Sequence, residues 1–244
     1  MKSIAFVVPY FGVLPKGFAY WLMSCETNST VDWLIFTDDH TKYNYPKNVK
    51  VTYCSFSDIR NRAQKLYDFK ISMERPYKLC DFKPTYGELF CEELRKYNFW
   101  GHCDIDLVWG NIRNFFTDDI MNKYEKIGNQ GHCTIYRNTP EVNARYRTIV
   151  PGEITYREVL GTDKGFAFDE PSMERIYNYL GIEYYREVNY IHLTKYDYGF
   201  FLGLKPREED YKNKNQIISW ENGSIKRYYL EDRQIQVEEC RLSG

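Results

Sequence analysis

The sequence has no apolar stretch near the roughly 20 residues that span a bilayer. Its first residues, Met1 to Tyr10, run into a strand-like pattern instead of a secretory signal. The expectation is a cytoplasmic protein without a transmembrane segment, at most peripheral to the inner face of the membrane. Net charge is nearly absent too, since 33 Lys and Arg face 34 Asp and Glu, leaving −1. With no strong field to attract a polyanion, nucleic acid is not an expected partner. The seven cysteines are scattered, odd in number and free of any CxxC pair, which excludes a disulfide framework and predicts reduced packing thiols. Gly-His-Cys occurs twice, at Gly101 to Cys103 and Gly131 to Cys133. Adjacent strand side chains face opposite ways, so each copy offers one ligand and a zinc site is not expected. Asn28 and Asn222 stand in glycosylation-type triplets, read as chance matches without a secretory signal. No linker, low-complexity stretch or fixed repeat divides the chain, so residues 1–244 read as a single domain.

What is present is a series of short buried runs punctuated by turn residues. "SIAFVVPYFG" reads as a strand stopped by Pro9 and Gly12, and Lys16 to Asn28 as a helix with Phe18, Trp21, Leu22 and Cys25 on one face. "VDWLIFTDD" and "VKVTYCS" predict two further strands. Ser57 and Asp58 are expected to cap the next helix, and another follows Pro84. After the strand ending in "GHCDID" come a helix at Asp118 to Tyr124, a strand at "GHCTIYRN" and a helix from Pro140. Asn222-Gly223 marks a hairpin near the end. This order predicts an α/β fold: a mostly parallel central sheet flanked by helices, with small antiparallel strands toward the C-terminus. Ligands in such sheets sit at the carboxyl ends of the strands.

At one such end, "FWGHCDIDLVWG" holds two aspartates one residue apart. On an extended backbone Asp104 and Asp106 share a face while Ile105 points into the opposite layer. Like charges so placed, between aromatic and apolar neighbours, call for a partner. Without clustered sulfur or histidine ligands, that partner is a hard divalent cation, Mn²⁺ or Mg²⁺. Such an ion keeps open positions for phosphates and can stabilise a diphosphate leaving group.

"FWGHCDIDLVWGNIRNFF" resembles the Asp-x-Asp segment of nucleotide-sugar-dependent glycosyltransferases of the GT-A fold. With "VVPYFG" and "YKLCDFKPTYGELF" in the same order, the chain resembles a little-characterised bacterial family associated with surface-polysaccharide synthesis. The resemblance implies a GT-A-like, Rossmann-like domain with a nucleotide-binding half (1–110) and an acceptor- or sugar-binding half (111–244). It implies transfer from a nucleotide diphosphate donor, a UDP-hexose by resemblance, to a glycan or lipid-linked acceptor. Asp104 and Asp106 would hold the metal and Asp104 the donor's diphosphate. Pro9, Tyr10 and Phe11 would lie against the nucleoside, with Asp38 or Asp39 accepting from ribose or base. Lys83 would reach a phosphate and Asp81 a ribose or sugar hydroxyl.

Further along, His132, Arg137 and Asn138 are expected to bind sugar hydroxyls. Asp169 and Glu170 precede a proline-started helix, so one is expected to cap it while the other faces the cleft. The cleft-facing carboxylate would be the general base of an inverting enzyme, or would orient the sugar in a retaining one, the outcome the resemblance favours. By position His192 in "NYIHLTKYD" is the third metal ligand. The family tends to end in a Tyr-x-His-x-Gln-Lys-Arg type segment whereas this chain ends in "QVEECRLSG"; either His192 or water fills that position, or the site is weakened. The 23 tyrosines and 15 phenylalanines are read mostly as packing, with a lipid-facing patch as the alternative for "RIYNYLGIEYYREVNYIHLTKYDYGFF". Two other classes use the same features: a metal-dependent phosphohydrolase or nucleotidyltransferase, and a catalytically impaired carbohydrate-binding relative.

Overall fold

Residues Ile4–Pro9 form β1, a β-branched and aromatic run that is buried except at its last residue. A computed structural model describes residues 1–186, 191–193, 200–202 and 216–239, with only the backbone described at 192, 193 and 200–202. Helix α1 (Phe18–Glu26) follows and buries Phe18, Trp21, Leu22 and Cys25, the stripe its spacing predicts. Strands β2 (Val31–Thr37) and β3 (Val49–Tyr53) lead to α2 (Phe56–Gln64). Ser55, not Ser57, caps α2: its hydroxyl accepts from Asp58 N–H while the Asp58 carboxylate accepts from Ser55 N–H. Ser57 falls inside the first turn.

Three one-turn helices, α3 (Leu79–Phe82), α4 (Tyr86–Leu89) and α5 (Cys91–Leu94), lead to β4 (Phe99–Cys103). Pro84 sits in a 3₁₀ turn between α3 and α4. Next come α6 (Asp118–Lys123), β5 (Lys126–Gln130), β6 (Cys133–Arg137), α7 (Pro140–Asn143), α8 (Tyr156–Leu160) and α9 (Met173–Tyr179). Strand β5 was not anticipated: "KIGNQ" contains one strongly apolar residue. A two-stranded ribbon, β7 (Ile191–Leu193) with β8 (Phe200–Leu202), precedes the antiparallel sheet β9 (Gln216–Glu221), β10 (Ser224–Glu231) and β11 (Gln234–Glu239).

The main sheet has the order β3-β2-β1-β4-β6-β5. Its first four strands are parallel, while β6 runs antiparallel to both β4 and β5. Strands from both sides of Gly110 therefore pair in one sheet. Alternate side chains of β1 enter two cores: Ala5 and Val7 pack with α2 to α5, and Ile4, Phe6 and Val8 with α1 and α6. Gly101 is required at the centre of β4, because a Cβ there would lie 2.6 Å from Thr134 O and 2.9 Å from the Phe6 ring.

The expected hairpin is formed at Asn222-Gly223, with φ of 49° and 87°, and Trp220 Nε1 donates to Trp109 O at 2.8 Å. The sheet is thereby fixed to the segment just beyond the aspartates. In the tyrosine-rich stretch, Tyr177 and Tyr184 pack edge to face in the core and Tyr179 is exposed, while most residues after 186 fall outside the described part. Among the described residues no helix is long and apolar enough to cross a membrane.

Candidate active site

At the carboxyl end of β1 the chain turns away, and Tyr10 N–H donates to Phe36 O. Phe11 is buried edge-on against Phe56, with ring centres 5.5 Å apart. Gly12 has φ +97°, and its N–H donates to Asp38 Oδ1 at 2.7 Å; Leu14 N–H donates to Asp39 Oδ2 at 2.8 Å. Asp38 and Asp39 thus hold the β1 loop from behind. Pro9, Tyr10 and Phe11 line the cavity, which Asp38 does not.

Regular strand structure in β4 ends at Cys103, but side-chain alternation continues for two residues. Asp104 faces the layer of α3, and Ile105 is buried in the opposite core. The chain then bends and leaves Asp106 exposed. Both aspartates line an open cavity of about 870 Å³, together with Lys83, His132, Asp169 and Glu170.

Lys83 is the hub of this group. Its Nζ donates to Asp104 Oδ1 and to Gly131 O, each at 2.8 Å, and lies 3.4 Å from Asp169 Oδ2. Burial alone would favour a neutral amine, but the Asp169 and Asp104 carboxylates outweigh it and hold Lys83 protonated. His132 Nδ1 is 2.7 Å from Asp104 Oδ2, and that hydrogen bond raises the imidazole's pKa. Although burial pushes Asp104 up, His132 and Lys83 together bring it down to about 2.

Asp169 and Glu170 occupy a π-helical turn, Phe168–Ser172, that runs into α9. Neither caps the helix, whose N-cap is Ala167, a residue with no side-chain acceptor, in the left-handed conformation, φ 48° and ψ 50°. Both face the cavity instead. Burial raises Asp169 to about 6 against the pull of Lys83. Glu170 Oε1 accepts from Gly131 N–H at 2.7 Å. Gly131 was not anticipated as a site residue, yet a Cβ on it would stand 2.7 Å from Asp169 Oδ2 and 3.0 Å from Glu170 Oε1. Its signal in the sequence is the repeated Gly-His-Cys, whose second copy places Gly131 beside His132.

Other expected residues are placed elsewhere. Because β6 runs antiparallel to β4, its start lies beside Asp104 and its end at the far edge, where Arg137 pairs with Phe99. Arg137 Nη2 donates to Met121 O, Asn122 O and Tyr124 O, closing the end of α6. Asn138 Nδ2 donates to Leu94 O and Tyr97 O. Neither residue lines the cavity that holds Asp104. Asp81 lines it, but its carboxylate pairs with buried Lys78 at 2.9 Å and accepts from Phe166 and Phe168 N–H. That pair, hidden in "YKLCD", anchors the backbone on both sides of Ala167. His102 is fully buried and has burial pushing its pKa well down, as a core histidine. His192 lies in β7 opposite Phe201, and its side chain is outside the described residues.

Among the described residues no three His, Cys, Asp or Glu side chains are already arranged as a metal-ligand set. The donor chemistry nevertheless suits a hard cation: Asp106 is exposed to the cavity, and each Asp104 oxygen keeps a second lone pair beyond those engaged by Lys83 and His132. Around this cavity Asp104, Asp106, Asp169 and Glu170 face the amine of Lys83 and the imidazole of His132, so carboxylates outnumber cationic groups.

No curated protein matches the chain significantly. The model of a family described as a family of unknown function, DUF6625, matches residues 6–243, and the chain belongs to that family.

Proposed function

We propose that the protein is a metal-dependent glycosyltransferase of GT-A type, moving a hexose from a nucleotide diphosphate, UDP by preference, to a glycan or lipid-linked acceptor. One observation carries the reading: an acidic segment at the carboxyl end of the central strand β4 shares one cavity with a buried lysine and a second carboxylate pair. The parallel half of the sheet supports the layout, since it brings the ends of β1 and β4 side by side.

Asp104 and Asp106 are the residues to hold Mn²⁺ or Mg²⁺, with His192 or water completing the set. When bound, the ion supplies Lewis-acid neutralisation of the diphosphate as it leaves. Lys83 presents a fixed positive charge on the same wall, within reach of a phosphate oxygen. Tyr10 offers a ring toward the nucleoside; Phe11, edge-on against Phe56, backs that wall. His132 holds the Asp104 carboxylate in orientation through Nδ1. Asp169, raised to about 6, is matched to accept the acceptor hydroxyl's proton near neutral pH, or to stabilise the sugar's developing charge if configuration is retained.

The direct test is incubation of the purified chain with a panel of UDP-hexoses and Mn²⁺, following products by NMR. Release of UDP with free or transferred hexose is expected from at least one donor, and the product's anomeric signal reports the stereochemistry. Release of inorganic phosphate or pyrophosphate instead would move the protein to the phosphohydrolases or nucleotidyltransferases.

A further inference from the structure

Beyond Asp104 and Lys83, the cavity has a second wall made of two loops. One carries Arg75 and Tyr77, and the other runs from Asp163 to Ala167. Tyr77 lines the cavity while remaining 76 % exposed, so its ring is an unshielded apolar plane at the lip. Beside it Arg75 Nη2 reaches across to the second loop, 3.3 Å from Asp163 O and 3.4 Å from Asp163 Oδ2. Both side chains are about half exposed and keep donor and acceptor capacity toward the cavity.

These loops are mounted on a rigid base. Lys78, next to Tyr77, buries its ammonium among Asp81 Oδ2 at 2.9 Å, Val159 O at 2.8 Å and Lys164 O at 2.5 Å. Asp81 in turn accepts from the N–H groups of Phe166 and Phe168. One buried ion pair therefore clamps the backbone adjoining Tyr77 to the backbone adjoining Asp163. Backbone held this way leaves only the Tyr77 side chain to be ordered when a flat partner binds.

The partner's chemistry follows from the surfaces offered. An apolar plane flanked by a guanidinium and a carboxylate fits a pyranose, whose C–H face stacks on an aromatic ring while its hydroxyls both donate and accept. We propose that Tyr77, Arg75 and Asp163 form a saccharide subsite for the acceptor. It rests on the transferase reading for the word acceptor. The assignment to the acceptor follows from continuity: the loop that carries Asp163 runs on through Ala167 to Asp169, the carboxylate placed to take the acceptor hydroxyl's proton in the inverting case, and all three line the cavity. The donor is assigned to the other lining segments, Pro9 to Phe11 and Asp104. The subsite also supplies the sugar contacts that Arg137 and Asn138 do not make.

Saturation-transfer NMR on the full chain, with a panel of methyl hexopyranosides as probes, tests the proposal. Transfer to the ring protons of at least one pyranoside is expected, weakened about tenfold in Tyr77→Ala, as loss of a stacking face implies, and retained in Tyr77→Phe. Substituting an exposed ring leaves the fold intact, which a thermal melt checks. No transfer from any probe, or transfer indifferent to Tyr77→Ala, overturns the subsite. A parallel titration of wild type with UDP and Mn²⁺ separates the two claims: pyranoside binding through Tyr77 without UDP binding leaves the subsite standing and removes the transferase.

Discussion

The Lys83 ammonium donates to Asp104 Oδ1 at 2.8 Å, joining residues 21 positions apart across the mouth of the sheet. Asp169 stands 3.4 Å from the same nitrogen, so one buried cation balances two carboxylates. Removing it as Lys83→Met leaves Asp169 without its cation and Asp104 with His132 alone, and costs on the order of 3 kcal/mol, the scale for breaking a buried pair from one side. Urea unfolding measures the loss, and Mn²⁺ is expected to restore more stability to the variant than to wild type. A variant that unfolds like wild type would mean that the lysine is not the site's counter-charge.

Gly131 allows the two carboxylates of Asp169 and Glu170 to approach the β5–β6 turn. In Gly131→Ala the new methyl meets Asp169 Oδ2 at 2.7 Å, so the carboxylate must move. We expect a stability loss of about 1–3 kcal/mol. Donor turnover is expected to fall about 100-fold or more, because displacement by even an ångström misaligns a reacting group. Unchanged turnover in a folded variant would remove Asp169 from the reaction.

The raised pKa of Asp169 has a definite sign in stability and in rate. Its ordinary value is 3.8 and burial raises it to about 6 in the folded chain. Between those values the folded state binds more protons than the unfolded one, so this group's contribution to stability falls as pH rises from 3.8 to about 6, then stays constant. The fall amounts to about 3 kcal/mol, and Asp169→Asn should lack it in denaturant melts across that window. Activity should run the opposite way, rising with pH through about 6 as the carboxylate ionises. In Asp169→Asn it should be lower by about 100-fold or more.

Arg137 and Asn138 show where sequence reading reached its limit. "GHCTIYRN" has the periodicity of a strand and was legible as one, but nothing in it states that β6 runs antiparallel to β4. Direction alone decides that His132 lies beside Asp104 and that Arg137 closes α6 at the other edge. Strand β5 was hidden for a different reason: Lys126 occupies a fully buried position, where its ammonium donates to Gly128 O within the same strand at 3.0 Å and lies over the Tyr184 ring, brought in by the fold, at 3.6 Å. The apolar runs of β1, β2 and β4, the stripe of α1 and the Asn222-Gly223 turn depend on local chemistry, and each is formed where that chemistry placed it. Asp104 was readable as a site residue from its position at a strand end. Its partners Lys83 and Asp169 were readable as candidates but not as neighbours, since their meeting depends on the turn at Lys83–Thr85 and on the left-handed Ala167.

Asn138 offers a clean control on that correction. Asn138→Ala removes donors to Leu94 O and Tyr97 O, and should cost about 1–3 kcal/mol in thermal or urea unfolding. Turnover of a UDP-hexose with Mn²⁺ should be unaltered. A large loss of UDP-hexose turnover with unchanged stability would return Asn138 to the site.

The central claim is that Asp104 and Asp106 create the metal and diphosphate site. Calorimetric titration of UDP into the full chain, with Mn²⁺, with EDTA, and in Mn²⁺ with Asp104→Ala/Asp106→Ala, measures it most directly. Binding in Mn²⁺ that disappears with EDTA and in the double variant is the predicted result. UDP binding that is indifferent to the ion, or that survives the double substitution unchanged, would contradict it.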